Sequence, residues 1–123
     1  MLDASAVLAL AKSEVGSGEV VRHLGDAVIS AVNYSEVLHG LMRVGIPIDI
    51  GAKLVETLRI VVVPFDSSDA ATVAGFEATG AEYGLSLGDR ACLATASRMK
   101  CPAVTADRAW IDLDLGVEVV SIR

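Results

Sequence analysis

A chain of 123 residues in which 53% are apolar and 21% charged has enough apolar mass for one buried core and too little polarity for disorder. Its formal net charge of −6 is the reverse of the basic footprint of a protein that grips nucleic acid through phosphates alone. No uncharged apolar run approaches the ~20 residues that span a bilayer, and Met1-Leu2-Asp3 begins without a basic or apolar export signal. A cytoplasmic protein without membrane association is expected. Cys92 and Cys101 belong to no wider pattern and read as reduced core thiols.

In chain order, Met1 to Ala4 reads as the end of a first strand, followed by an Ala/Leu-rich helix over Ser5 to Ser13. Gly16-Ser17-Gly18 breaks that helix, and Glu19 to Leu24 supports a second. Ala27 to Ser30 is a short strand. Val37, Leu38, Leu41 and Val44 recur at helical spacing within Val32 to Val44, and Ile50, Leu54 and Leu58 do so within Ile48 to Leu58. Arg59 to Pro64 is a β-branched run without alternation, as expected for a parallel strand covered on both faces. Asp66-Ser67-Ser68-Asp69 opens a helix predicted to run to Tyr83 and stop at Gly84. Asp89 to Met99 is a further helix, Ala103 to Thr105 a strand, Asp107 to Ile111 a short helical turn, and Val117 to Ile122 a last strand. No linker, repeat or low-complexity tract divides residues 1–123, so a single domain is expected. Strands separated by one or two helices predict an α/β fold: a three-layer α/β/α sandwich with a roughly five-stranded parallel sheet.

Four acids stand at comparable places in this pattern. Asp3 and Asp107 follow apolar strand stretches; Glu36 and Asp89 sit near the starts of helices. In an open α/β sheet the strand carboxyl ends and following helix starts form one rim, where ligands bind. Taken singly, Asp3, Asp89 and Asp107 read equally well as helix N-caps, and Glu36 as a solvated flank residue. Together they define a pocket that needs a cation, since two unit charges ~5 Å apart repel by about 3 kcal/mol at an effective dielectric near 20. Hard carboxylate ligands suit Mg²⁺ or Mn²⁺, ions that activate a water for attack on phosphorus. Setting the four aside leaves a nearly balanced surface, so the acidity argues against a non-specific nucleic-acid binder but not against a metal-dependent nuclease.

The stretches Leu2-Asp3-Ala4-Ser5-Ala6, Ser30 to Val37, Leu85 to Ala94 and Val104 to Trp110 resemble, in order, the motifs of the PIN domain, and most closely the VapC-like toxins of type II toxin–antitoxin pairs. The resemblance implies an Mg²⁺- or Mn²⁺-dependent endoribonuclease whose catalytic and metal-holding acids are Asp3, Glu36, Asp89 and Asp107. It places supporting hydroxyls at Ser5 and Thr105, which would orient carboxylates from behind. It also implies an RNA substrate, a cognate antitoxin protein and a homodimer. One departure stands out: such proteins carry several apolar residues before the first Asp, whereas only Met1 and Leu2 precede it here, so either the start is truncated or misassigned or the central strand is unusually short.

Other residues read both ways. Arg90, next to Asp89, is expected to steady that carboxylate by an ion pair or to face a phosphate; Asp112 is a candidate fifth acid of the pocket. Asp66 and Asp69 read as caps, Trp110 as core or as a base-stacking ring. His23 and His39 lie away from the four motifs, and neither cysteine has a nucleophile–base partner. The run Ile46-Pro47-Ile48 reads as core or as a dimer surface. Two other readings compete. A receiver-like phosphoacceptor module needs paired acids after its first strand and a lysine after its last, and this chain has neither. A non-catalytic PIN-fold binding domain would keep the fold without the chemistry.

Overall fold

The computed structural model describes residues 1–123. The opening residues lead into α1 (Ala4–Ala11) and α2 (Ser17–Arg22), then β1 (Val28–Ser30), α3 (Ala31–Met42) and α4 (Ile48–Thr57). β2 (Val61–Val63) is followed by α5 (Ser67–Gly75) and α6 (Glu77–Tyr83), and α7 (Leu87–Met99) by β3 (Ala103–Thr105) and β4 (Val119–Ser121). Short 3-10 turns occupy Leu24–Asp26 and Arg108–Asp112.

β1 pairs in parallel with β2, and β3 in parallel with β4. Leu2 joins the two pairs: its N–H donates to Val28 O at 2.8 Å, and it forms a parallel bridge with Val104. Val104 N–H donates to Met1 O at 2.8 Å and Asp3 N–H to Val104 O at 2.9 Å. The expected fifth strand is therefore one bridging residue, because Asp3 already caps α1 and the backbone turns helical at Ala4.

Successive residues of a strand face opposite sides of the sheet, and the core divides accordingly. Leu2, Ile29 and Val104 join Val7, Val20, Val37, Leu41 and Val55 beneath α1 to α4. Their neighbours Met1 and Ala103 join Cys92, Leu93, Ala96 and Trp110 beneath α7 on the other face. Two cores on two faces of one parallel sheet make an α/β/α sandwich. Trp110 is wholly buried, and burial pushes the Cys92 thiol well above its ordinary range, leaving both as packing groups.

Three details depart from the sequence reading. The helix expected to run unbroken to Tyr83 breaks at Phe76, which follows Gly75 and turns into the second core. β2 lies at an edge and leaves Val61 59% exposed, so its apolar run is not covered on both sides. Asp69 does more than cap. It closes a capping box with Asp66 and is buried, with Arg98 donating to both its oxygens at 2.8 and 2.9 Å. Arg98 also donates to Pro64 O at 2.9 Å, which ties α7 to the end of β2.

Candidate active site

Every segment of the sheet centre ends in a buried polar residue: Leu2 gives way to Asp3, β1 ends in Ser30 and β3 in Thr105. Three helix starts meet them, those of α1, α3 and α7. Asp3 Oδ2 accepts from Ser5 N–H at 3.2 Å, from the Ser5 hydroxyl, and from Thr105 Oγ1 at 3.1 Å. Both hydroxyls singled out in the sequence thus bind the first acid, and Ser5 Oγ also accepts from Ala106 N–H at 3.0 Å.

The centre of the cluster is Asn33, which the sequence reading passed over. It is fully buried, and its Nδ2 lies 3.3 Å from Asp3 Oδ1, 3.1 Å from Glu36 Oε2 and 3.0 Å from Gly88 O. Its Oδ1 accepts from the Ser30 hydroxyl, whose oxygen also takes the Asn33 N–H at 3.1 Å and so caps α3. One amide joins the end of the first segment, the second turn of α3 and the start of α7. The available signal was the i, i+3 spacing of Asn33 and Glu36, which places both on one helix face.

Gly88 has a spatial reason. A Cβ there would overlap the Glu36 carboxylate, so only glycine lets that side chain lie against the start of α7. Asp89 follows at the third position of α7, not at its N-cap. Ser86 caps the helix, and Asp89 Oδ2 accepts the Ser86 N–H at 2.7 Å in a capping box.

Burial raises the Asp3 carboxyl above its ordinary range, with the Ser5 hydrogen bond opposing and the Asp89 charge adding. Burial likewise raises Glu36, with Asn33 opposing and the charges of Asp3 and Asp89 adding. Three carboxylates thus bear on one another with no protein cation among their partners. Asp107 stands slightly apart. It caps the 3-10 turn through Ala109 N–H at 2.9 Å, and reaches the others through Thr105 Oγ1, which accepts its N–H at 3.1 Å.

Two nearby candidates face elsewhere. Arg90 pairs with Glu77 at 3.1 Å rather than with Asp89, because its side chain lies across Gly80 of α6. Asp112 is exposed at the end of the 3-10 turn; its carbonyl accepts from Tyr83 Oη at 3.3 Å, and its side chain has no partner. No three of the chain's His, Cys, Asp and Glu side chains stand close enough to ligate one ion together. The donor set still fits Mg²⁺ or Mn²⁺. It is hard oxygen throughout, it is held open by Gly88, and ions that keep several waters need only one or two direct carboxylates.

These observations define a class: an α/β/α domain with uncompensated carboxylates at the carboxyl edge of its parallel sheet. The PIN domain model matches residues 1–115, and the chain belongs to that family, whose members are generally nucleases that hydrolyse phosphodiester bonds with divalent metal ions. A solved toxin–antitoxin complex from Klebsiella pneumoniae contains a chain of similar fold. The TM-score is 0.74 at 18% sequence identity, over 99% of this chain and 96% of that one. No curated protein is detectably similar in sequence. No helix is long and apolar enough to cross a membrane.

Proposed function

We propose that this chain is a divalent-metal-dependent endoribonuclease and the toxin of a type II toxin–antitoxin pair. The observation that carries the reading is Asn33, a buried amide holding Asp3 and Glu36 together beside Asp89 where no protein cation offsets them. One or two of Asp3, Glu36 and Asp89 would hold the ion directly and the remainder through its waters, with Asp107 at the margin. The ion supplies Lewis acidity toward the phosphate and lowers the pKa of the attacking water.

The chain's own residues set the stage. Ser5 and Thr105 donate to Asp3 Oδ2, which fixes the rotation of that carboxylate and leaves Oδ1 facing Asn33. Asn33 keeps the second carboxylate in register with the first, and the capping box anchors Asp89 to the backbone at Ser86. Orientation of this kind removes the reorganisation cost at the moment of reaction.

The solved toxin–antitoxin complex supports a protein antitoxin as partner; action in the cytoplasm is part of the same proposal. Homodimerisation through the exposed Met42, Ile48 and Ile50 belongs to the same proposal. A non-catalytic PIN-fold binder is favoured by one observation only, the engagement of Asp107 in its own cap.

The test is cleavage of a mixed pool of structured and single-stranded RNAs with Mn²⁺ or Mg²⁺, with EDTA, and with Asp3→Asn and Asp107→Asn variants. Metal-dependent cleavage lost in the EDTA and Asp3→Asn arms is the expected result. Undiminished cleavage by Asp3→Asn would sink the assignment. Mn²⁺ binding without cleavage of any RNA would favour the binder.

A further inference from the structure

Beyond the acids, the C-terminal ends of α1 and α3 lie side by side. They leave an open groove of about 420 Å³ lined by Leu8, Lys12, Gly40, Arg43 and Val44. The helices approach closely there: a Cβ on Gly40 would stand 2.8 Å from Leu8 Cδ1. Lys12 and Arg43 are exposed, and neither side chain has an ion-pair or hydrogen-bond partner. Arg22, Lys53, Arg90, Arg98 and Arg123 are each held by an acid, and Arg59, Lys100 and Arg108, also without an acid, do not share a groove. No other groove of the molecule is lined by two cations.

The groove lies along the same two helices that carry part of the acidic site. Gly40 lies one turn beyond Glu36 on the same side of α3, and Leu8 one turn beyond Ser5 on α1. Arg43 follows Glu36 by seven residues, ~10 Å along the axis. Side chains of a helix lean toward its N-terminus, so Arg43 leans back toward the acids.

We propose that this seam is a phosphate track in which Lys12 and Arg43 hold backbone phosphates of single-stranded RNA whose scissile phosphate lies at the acids. The inference rests on the nuclease reading and adds a substrate-binding site to it. Charge complementarity argues for it. The chain carries a net charge of −6 and its cleft repels a polyanion, so an entering strand needs cations along its path. One cation from each helix flanks the groove, which suits the single file of phosphates of one strand. Cations at helix C-termini also complement the helix dipoles. That role needs no shared groove and does not explain their convergence.

The experiment is binding of a short fluorescein-labelled single-stranded RNA by anisotropy over a salt series in EDTA, where nothing is cleaved. Steady-state cleavage with Mn²⁺ runs beside it. The Lys12→Gln/Arg43→Gln variant is expected to bind at least tenfold more weakly at low salt. The slope of log K against log salt should be shallower by about 1.4, since each single-strand phosphate contact accounts for ~0.7. KM should rise with kcat little changed, and the Mn²⁺-induced thermal shift should match wild type. Lys12→Arg/Arg43→Lys should restore the slope. Unchanged affinity and slope in the Gln variant would overturn the track while leaving the nuclease reading intact. Wild-type RNA binding that depends on both cations, without cleavage of any RNA, would uphold the track and overturn the nuclease. An unchanged RNA slope alongside lost binding of an acidic peptide would assign the groove to a protein partner and overturn the track.

Discussion

Asp69 at the start of α5 and Asp3 at the start of α1 are 1% and 4% exposed, and both lie against α7 or its neighbours. Asp69 meets the Arg98 guanidinium across both oxygens, which holds its carboxyl below the ordinary range. Asp3 meets hydroxyls, an amide and further carboxylates, and burial holds it above that range. A buried charge is tolerated only when paired or when it ligates a cation. The first carboxylate is answered within the protein and braces it; the second has no protein cation among its partners. Burial alone therefore does not separate a structural acid from a functional one. The sign of its surroundings does.

The largest expected effect breaks the functional half. Asp3→Asn keeps an acceptor for Ser5 and Thr105 but removes the charge, so cleavage should fall at least 100-fold, on the order of 2.7 kcal/mol. The metal-free protein should melt at the same temperature or higher. A lower melting temperature together with full activity would mean that Asp3 is only a cap.

Next comes the structural half. Arg98→Met leaves Asp69 buried without its partner. Removing one member of a buried pair is destabilising; a clear fall in the urea midpoint is expected, moderated by the partial exposure of the Arg98 side chain. Cleavage per folded molecule should be unchanged, and a selective loss of cleavage would merge the two regions into one.

Gly88→Ala is smaller. The new methyl pushes Glu36 away from α7, and about a tenfold loss of cleavage is expected. Stability should move by less than ~1 kcal/mol, because the better helix propensity of alanine offsets the displacement. Activity equal to wild type would remove Glu36 from the working set.

The smallest effect is in pH. The contribution of Asp69 is present above the ordinary carboxylate range and is lost as pH falls through its lowered folded value. Asp3 and Glu36 act with the opposite sign. Their folded values are raised, so metal-free stability declines as pH climbs from the ordinary range through those values. Thermal melts in EDTA should show Arg98→Met flattening the acid limb and Asp3→Asn flattening the decline toward neutrality. The reverse assignment of limbs would refute the contrast.

The alternation of apolar stretches and helical periodicities in residues 1–123 was enough for the α/β/α class, since those periodicities are local and need no partner. That Asp3, Glu36 and Asp89 would gather at one edge was also legible, because strand ends and helix starts fall on one rim in any parallel sheet; Asp107 stands apart in its own cap. Partnership was not. Asp69 read like any N-cap until α7 brought Arg98 to it, and Arg90 read as the partner of Asp89 until α6 offered Glu77. Asn33 and Gly88 carry no charge and interrupt no pattern; their importance arises where α3 and α7 meet across 55 residues of sequence. Charge and periodicity are written along the chain, whereas which charge is answered, and by what, is decided only when distant helix starts are packed against the same strand ends.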